Sequence, residues 1–329
     1  MQLDVIIATF NRHTLLARAL ASLQEARVPA GLDVQVTVVD NGSRDGTRAA
    51  VETAMAEFGG RLRYRYEGRV GKSYALNTGI AATDGDLVGM IDDDEEIDAT
   101  WYDVVARAFA DPSLDFVGGP YRPRWGAPAP GWLPPRPSSI VGWVAPSERV
   151  ERFGAPGFNA MLMGGNAVIR RALLERAGPY STALGPTAGQ RLGSGEDHDM
   201  YLRLLAAGGR GEYRPDLIIH HYVPPARLRK GYHRRWMFWH AVSMSRMPTA
   251  HADDGSAGPR WLGVPRWVWG GALRGSLESA RGWMRSGPAA RSWERFDREL
   301  RWWDLAGRLY GGLTAPRPGP ATLGSMTQG

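Results

Sequence analysis

The first part of the chain alternates short apolar segments with amphipathic segments. The apolar segments have the length of strands, and the others carry hydrophobic residues at helical spacing. This alternation predicts right-handed βαβ units, and therefore a mostly parallel, Rossmann-like sheet with helices on both faces. The predicted strands are Leu3–Ala8, Val34–Val39, Leu62–Tyr66, Leu87–Ile91 and Phe116–Gly118, and the predicted helices are 15–23, Thr47–Phe58, Ser73–Ala82 and Trp101–Phe109.

The pattern changes after the fifth predicted strand. Pro120–Pro156 is rich in Pro, Trp and Gly, which is typical of a long loop or lid. Regular structure is predicted again from Met163–Arg170 onward, with helices at Arg171–Ala177 and Glu196–Ala207 and a strand at Leu217–His221. An α/β fold with a C-terminal helical extension is therefore expected.

Composition excludes several classes of protein. The 329 residues contain no cysteine, so a disulfide framework, a thiolate metal site and a cysteine nucleophile are all excluded. No apolar run reaches the roughly 18 residues that span a bilayer. The N-terminus lacks a charged segment followed by a cleavage site, which predicts no signal peptide. A cytoplasmic protein is expected on these grounds.

The net charge of +6 is distributed unevenly along the chain. Residues 1–225 hold 23 basic and 27 acidic residues, whereas residues 226–310 hold 16 basic and seven acidic ones. Nine of the 13 tryptophans lie between Trp236 and Trp303. The predicted divisions are an α/β domain at 1–225 (with halves at 1–119 and 120–225), a basic helical extension at 226–313 and a flexible tail at 314–329.

Five consecutive acidic residues, Asp92–Glu96, follow a predicted buried strand. Adjacent carboxylates repel each other unless cations or solvent relieve them. The outer carboxylates of an Asp-x-Asp unit can hold a divalent metal that bridges a diphosphate, although acids at a helix N-terminus are the simpler alternative. Polar residues after three other strands favour the metal, because ligands gather at the carboxyl ends of such strands. These residues are Thr9–Arg12, Asp40–Ser43 and Gly68–Lys72.

Two residues of these clusters suit a nucleotide ligand. Asp40 at a strand end can accept hydrogen bonds from a ribose or a base, whereas Asn41-Gly42 beside it predicts only a turn. Lys72 at a helix start can pair with phosphate or be solvated. A phosphate-binding loop around Lys72 is excluded, because its pattern requires glycine where the chain has Tyr66.

Two later positions suit acid–base or metal chemistry. The helix that opens with Glu196-Asp197 carries carboxylates at its N-terminus, where the dipole keeps them ionised and able to act as a base. For Asp199 in the same turn, helix capping is the favoured role. His221 at a strand end suits a metal ligand or a structural histidine, and spacing does not choose between them.

Taken together, these blocks resemble the family-2 glycosyltransferases, which are inverting nucleotide-sugar enzymes with the glycosyltransferase A fold. The resemblance runs in family order from about residue 4 to about residue 240. It is carried by Ile7–Arg12, Val38–Ser43, Gly71–Asn77, Ile91–Asp94, Gly164–Asn166, Ser194–Met200 with Arg203 and Gly208, and His221–Pro225 with Arg227-Leu228.

The resemblance implies a nucleotide-sugar donor, expected to be a UDP-sugar, and a divalent metal, Mn²⁺ or Mg²⁺. Family members often carry arginine just before the residue that matches Asn77, where this chain has Leu76; Lys72 is expected to take over that phosphate contact. The implied sites are the donor (Thr9, Asn11, Arg12, Asp40, Lys72, Asn77, Asp92, Asp93), the metal (Asp94, His221), the acceptor (Asn166) and catalysis (Asp197 as base, within the motif that includes Glu196).

The predicted reaction moves a sugar to a hydroxyl of a glycan or lipid-linked acceptor, in the synthesis of a cell-surface glycan or glycolipid. Two alternatives stay open at this point. One is a nucleotidyl or phosphoryl transferase that uses Asp92–Asp94, and the other is a non-catalytic carbohydrate-binding scaffold. No nucleic-acid partner is expected, because no helix-turn-helix, zinc or RNA-binding signature is present.

The basic extension has two interpretations. In Trp293–Tyr310, apolar residues recur at helical spacing with arginines between them, which suits a helix lying on an anionic membrane. Such peripheral membrane contact through residues 226–310 would place the protein at the cytoplasmic face. The alternative is a helix docked on the catalytic domain. The apolar positions are Phe296, Leu300, Trp303, Gly307 and Tyr310.

Overall fold

The computed structural model describes residues 1–185, 195–246, 259–262, 264–286 and 292–314. The strands are β1 (Gln2–Thr9), β2 (Asp33–Asp40), β3 (Leu62–Tyr66), β4 (Leu87–Ile91), β5 (Glu95–Ile97), β6 (Phe116–Gly118), β7 (Tyr121–Trp125), β8 (Glu151–Arg152), β9 (Asn166–Arg170), β10 (Gly211–Tyr213), β11 (Ile219–Val223), β12 (Arg260–Trp261) and β13 (Val264–Pro265). The α-helices are α1 (His13–Glu25), α2 (Thr47–Met55), α3 (Lys72–Ala81), α4 (Trp101–Ala108), α5 (Arg171–Ala177), α6 (Glu196–Ala206), α7 (Lys230–Arg246), α8 (Arg266–Ser286) and α9 (Ser292–Thr314).

The main sheet has eight strands in the order β3-β2-β1-β4-β9-β6-β10-β8. Strands β1 to β4 pair in parallel, with Thr9 opposite Asp40 in the register of β1 and β2. Strand β9 runs antiparallel between β4 and β6. The predicted mostly parallel α/β sheet is therefore confirmed, and its parallel half places four strand ends along one edge.

Burial explains why these segments fold as they do. All five residues of β4 are buried, and so are Leu3, Val5, Ile6 and Ile7 in β1, as expected for strands covered on both faces. Helix α1 covers one face of the sheet with Leu16, Leu20 and Leu23, which recur at helical spacing. The core thus fixes the strand ends that carry the polar clusters.

The prediction of one long loop over Pro120–Pro156 is wrong in part. The segment contains β7, a 3₁₀ turn at Ser139–Val141 and the short strand β8. Strand β7 pairs in parallel with β11, which in turn pairs antiparallel with β5. A second sheet, β5-β11-β7, therefore closes over the end of the main sheet.

The C-terminal helices pack on one another and on this segment. Helix α9 buries Phe296 and Leu300 against Trp132, Ile140 and α7, and Gly307 lies against the backbone of Phe238. The apolar positions predicted in Trp293–Tyr310 had two interpretations, membrane contact and docking on the protein. Docking describes Phe296 and Leu300. In the described part of the chain, no helix is apolar and long enough to cross a bilayer. The predicted domain divisions stay predictions, and residues 315–329 of the expected tail lie outside the described residues.

Candidate active site

A pocket of about 400 Å³ lies at the carboxyl edge of the parallel strands. It collects residues from the ends of β1 and β4, from the starts of α3 and α6, and from the middle of β11. Its wall includes Thr9, Arg12, Lys72, Asp92, Asp93, Asp94, Glu95, Tyr121, Ser139, Gly142, Met163, Gly165, Asp197, His221 and Arg227. A second cavity of about 580 Å³ lies between the 134–140 segment and helices α7 to α9, and Ser139 lines both.

The five acidic residues Asp92–Glu96, which we call the acidic run, lie at the pocket because they directly follow β4, a buried strand that ends at Ile91. Strands β1 and β4 are parallel neighbours, so Thr9 at the end of β1 reaches the acids that follow β4. The hydroxyl of Thr9 donates to Asp93 Oδ2 at 2.8 Å. The predicted convergence of strand-end residues is thus seen directly for these two clusters.

Arg12 balances part of this negative charge. Its Nη1 lies 2.8 Å from Asp93 Oδ1 and 3.0 Å from Asp94 Oδ2. Burial disfavours the charged guanidinium, but Asp93 and Asp94 outweigh it and raise the pKa of Arg12. Burial raises the pKa of Asp93 to about 6 against the opposing effect of Arg12. Arg12 is thus a permanent cation beside Asp93 and Asp94 in the pocket.

Asp92, Asp94 and Glu95 form the candidate metal site. One carboxylate oxygen from each lies within 4.8 Å of the others. Burial, followed by the charges of Asp92 and Asp94, raises the pKa of Glu95 well above its ordinary value. Three carboxylate oxygens this close fit a hard divalent cation such as Mg²⁺ or Mn²⁺. A cation would also stabilise the anionic form of Glu95, which burial and its neighbours disfavour.

His221 reaches these acids through the second sheet. In the pairing of β11 with β5, His221 lies opposite Glu95. His221 Nε2 is 3.8 Å from Asp94 Oδ2 and receives a 2.9 Å hydrogen bond from Arg227. Since arginine only donates, Nε2 carries a lone pair, and burial lowers the pKa of His221, which favours the neutral ring. A neutral ring can ligate a metal, but the Nε2 lone pair is engaged by Arg227, so a bound cation would have to replace that hydrogen bond.

Lys72 joins the acidic run to α6. Its Nζ lies 2.7 Å from Asp92 Oδ1 and 3.9 Å from Glu196 Oε1. Burial opposes the charge, but Asp92, then Asp197 and Glu196, raise the pKa of Lys72 well above its ordinary value. Lys72 is therefore held as an ammonium ion between Asp92 and the start of α6, which carries the predicted base.

Glu196 makes the stability of the fold pH-dependent. Burial and then the charge of Asp197 raise the pKa of Glu196 to about 8, from 4.5. As the pH rises through this window the unfolded chain releases the proton first, so stability falls. Between about pH 5 and pH 8 the wild type should therefore lose stability, whereas Glu196→Gln should not. We expect the free energy of unfolding of Glu196→Gln, relative to that of the wild type, to increase by at least about 1 kcal/mol over this range.

Urea unfolding at the two pH values measures this difference. The exposed Glu52, paired with Arg48 on α2, supplies the control: Glu52→Gln should show no such pH-dependent gain. Parallel stability curves for the wild type and Glu196→Gln would contradict the assignment.

Asp197 is the candidate general base. Its Oδ1 is buried and has no hydrogen-bond partner among the described residues. A Cβ atom at position 164 would lie 2.1 Å from this oxygen, so only glycine at that position admits the carboxylate. Burial raises the pKa of Asp197 against the opposing charge of Lys72. The result is a carboxylate in the pocket wall whose Oδ1 has no hydrogen-bond partner among the described residues.

Some of the predicted site residues lie outside the pocket wall. Asp40 accepts a hydrogen bond from Tyr64 and one from the backbone of Ser43, each at 2.8 Å. Asn77 exchanges two hydrogen bonds with the backbone of Tyr180. These contacts position loops around the pocket, and the predicted donor roles of Asp40 and Asn77 stay predictions.

Asn11 and Asn166 are also engaged by the protein. Asn11 links the loops after β1 and β2, accepting from the Arg44 backbone at 2.8 Å. Asn166 is fully buried and accepts from the indole of Trp101 at 2.9 Å. Its amide donates to Leu217 O at 2.7 Å. The predicted roles of Asn11 at the donor and Asn166 at the acceptor stay predictions.

Sequence reasoning assigned no role to several residues in the wall. Glu95 belongs to the acidic run, but only the turn after Asp92 directs it into the pocket. Gly142 lies against His221: its φ is +59°, and a Cβ there would be 2.4 Å from His221 Nδ1. Arg227 lies six residues after His221 in the sequence, and this short separation is the signal that could have placed it in the site.

The α/β fold and this pocket define a class of protein, the transferases with a glycosyltransferase A fold. The model of glycosyl transferase family 2 matches residues 4–178, more than half of the chain. The chain therefore belongs to this family and is a glycosyltransferase.

Individual proteins agree with this assignment. The succinoglycan biosynthesis protein ExoM of Rhizobium meliloti is 27% identical over 232 residues, which cover 69% of each chain. An N-acetylglucosaminyltransferase of the same species is 31% identical over 72% of this chain, which spans 54% of that protein's length. A mannosyltransferase from Pyrobaculum calidifontis, solved in complex with GDP-Man and Mn²⁺, shares the fold at a TM-score of 0.57 and 21% identity, covering 94% of this chain and 86% of its own.

Proposed function

We propose that the protein is an inverting, metal-assisted glycosyltransferase with Asp197 as its general base. It would move a sugar from a nucleotide-diphosphate donor, a UDP-sugar, to an acceptor hydroxyl. The observation that carries this proposal is the pocket itself, where an acidic triplet and cationic side chains share one wall with an unpartnered buried carboxylate oxygen. Relatives named for succinoglycan biosynthesis support a role in making bacterial cell-surface glycans or glycolipids.

The donor diphosphate is assigned to the side of the pocket that carries Arg12 and Lys72. Both are held as cations beside carboxylates, and an arriving diphosphate would exchange those contacts for contacts with phosphate oxygens. Asp92, Asp94 and Glu95, with His221 beside them, would hold the cation. When bound, Mn²⁺ or Mg²⁺ supplies positive charge that neutralises the leaving diphosphate.

The nucleoside is assigned to the ends of β1 and β2. Thr9 and Arg12 lie in the pocket wall, and Asp40 lies one strand away, opposite Thr9 in the sheet register. Carboxylate oxygens accept more than one hydrogen bond each, so Asp40 retains capacity for a uracil N–H beyond its two protein donors. This capacity supports a contact between Asp40 and a nucleobase N–H, as in the proposed uridine donor.

Asp197 is assigned the proton from the acceptor hydroxyl. Attack by that oxygen on the anomeric carbon forms the new glycosidic bond while the bond to the diphosphate breaks from the opposite face. The Asp197 carboxylate lines the pocket and can receive the proton, and Lys72 is a cation held near it by Asp92. Backside attack inverts the configuration of the anomeric carbon.

The stereochemistry of the released sugar tests this reaction. With water in place of the acceptor, an α-linked UDP-sugar should first release the β-anomer, since attack comes from the face opposite the diphosphate. Proton NMR spectra recorded before mutarotation distinguish the two anomers. First release of the α-anomer would contradict an inverting mechanism with Asp197 as base.

A further inference from the structure

The C-terminal region carries most of the large exposed apolar side chains of the described chain. Nine of fourteen such residues lie between Trp261 and Leu313. Trp261 is 53% exposed and Leu262, directly after it, is 77% exposed. On helix α8, Leu273 and Leu277 are 51% and 58% exposed. Exposed apolar groups concentrated in this way mark a contact surface rather than chance.

Several of these side chains lie on α8 and on the two residues 261 and 262 shortly before it, and we call this set the α8 face. It consists of Trp261, Leu262, Leu273 and Leu277 with Arg266 and Trp269 among them. Positions 266, 269, 273 and 277 follow helical spacing and lie on one side of α8. The Arg266 guanidinium stacks over Trp261 at 4.8 Å, and the Trp269 indole donates to Trp261 O at 3.2 Å.

The opposite side of α8 is the one that packs within the protein. Val268 and Ala272 are buried with Leu305 of α9. Val268, Gly271 and Ala272 also line the cavity of about 580 Å³ that shares Ser139 with the candidate active site. The helix is therefore docked by its inner side, and its outer side is left as an apolar surface.

Charge determines which partner this surface fits. Between residues 259 and 286 the sequence has five arginines and one acidic residue. Arg266 and Arg274 are exposed on α8 beside the apolar side chains. Two copies meeting through this face would bring their arginines into one contact. An anionic lipid surface instead takes up Trp and Leu at its interface and attracts arginine.

We propose that the α8 face docks the protein on an anionic lipid bilayer. Trp261, Leu262, Leu273 and Leu277 enter the interface, and Arg266 and Arg274 contact lipid phosphates. Docking there would also bring the cavity behind α8, and with it the candidate active site, close to the bilayer surface. The inference does not depend on the donor or on the mechanism proposed above.

Co-sedimentation of the full chain with vesicles tests the proposal. The vesicles contain phosphatidylcholine with about 30 mol % phosphatidylglycerol, or phosphatidylcholine alone. We expect the double variant Leu273→Glu/Leu277→Glu to lower partitioning onto anionic vesicles by more than about tenfold. The double variant Arg266→Gln/Arg274→Gln should lower the same binding by about tenfold and leave binding to neutral vesicles unchanged.

Val150 supplies the matched control, because it is 50% exposed and directly precedes β8, which is a strand of the main sheet. Val150→Glu should change partitioning by less than about twofold. The proposal is overturned if the wild type does not bind anionic vesicles, if the leucine variant binds as well as the wild type, or if Val150→Glu loses as much. It is also overturned if sedimentation velocity shows that the leucines hold a dimer that vesicles do not dissociate.

Two further measurements distinguish a loss of vesicle binding from a loss of folding and from a loss of catalysis. Thermal unfolding checks that these substitutions at exposed positions leave the fold intact. Metal-dependent hydrolysis of the donor should be unchanged in all three variants. A wild type that binds vesicles but hydrolyses no donor would contradict the proposed function alone.

Discussion

Asp197→Asn is expected to fold normally and to transfer sugar at least about a thousandfold more slowly than the wild type. Asparagine keeps the size and shape of the side chain, so it fits against Gly164 as the carboxylate does. It has no basic oxygen to receive the proton of the acceptor hydroxyl. Asp197 Oδ1 lacks a protein partner, so the substitution breaks no described hydrogen bond of that oxygen.

The matched control lies two residues further along the same helix. Asp199 is also buried, but its carboxylate pairs with Arg203 at 2.8 Å. Asp199→Asn should therefore reduce stability more than activity. Initial rates and urea unfolding curves for both variants provide the comparison. An Asp197→Asn enzyme with activity within about tenfold of the wild type would remove Asp197 from the role of base.

Asp94→Asn is expected to weaken Mn²⁺ binding by at least about a hundredfold. Asp94 contributes one of the three clustered oxygens and lies 3.8 Å from His221 Nε2. Burial disfavours its anion, but the positive charges of Arg12 and Arg227 lower its pKa, so the carboxylate is charged and ready to bind a cation. Loss of that charge leaves the cluster with a weaker amide oxygen.

Asp93 provides the control for this prediction. It is adjacent and equally buried, but its two oxygens accept from Thr9 and Arg12, and it is not part of the clustered triplet. Asp93→Asn should leave Mn²⁺ affinity within about tenfold of the wild type. Electron paramagnetic resonance of free Mn²⁺ measures both affinities without any enzymatic turnover. Equal affinity in Asp94→Asn and the wild type would contradict the metal assignment.

The parallel half of the fold could be predicted because its signals are local. A fully apolar run such as Leu87–Ile91 bounded by polar residues specifies a buried strand, and its observed limits match the predicted ones. The edge of the sheet where Thr9 and Asp93 meet follows from parallel pairing alone. For these elements, each residue's burial can be read from its neighbours in sequence.

The second sheet could not be predicted, because it depends on pairing between distant and irregular segments. Strand β7 has the sequence Tyr-Arg-Pro-Arg-Trp, in which Pro123 argues against a strand. Strand β5 has only three residues, two of them acidic. Yet the pairing of β11 with β5 brings His221 beside Glu95, about 125 positions away.

Side-chain partners were the least predictable part of the site. Asn166 was expected near the acceptor, and its sequence context does not reveal that Trp101 and Leu217 would occupy its amide. The stripe on α9 was expected to face either a membrane or the protein, and only packing showed that Phe296 and Leu300 face inward. Periodicity identifies a face but does not identify what covers it.

The central claim is that the pocket cleaves a nucleotide-diphosphate sugar at the anomeric carbon with the help of a divalent metal. Incubation with a panel of UDP-, GDP- and dTDP-sugars, with Mn²⁺ or with EDTA, tests it by chromatography of the released nucleotide. We predict that a nucleoside diphosphate is released, with UDP-sugars preferred, and that EDTA abolishes the release until Mn²⁺ is restored. Release of a nucleoside monophosphate, release that EDTA does not affect, or no release from any donor would contradict the claim.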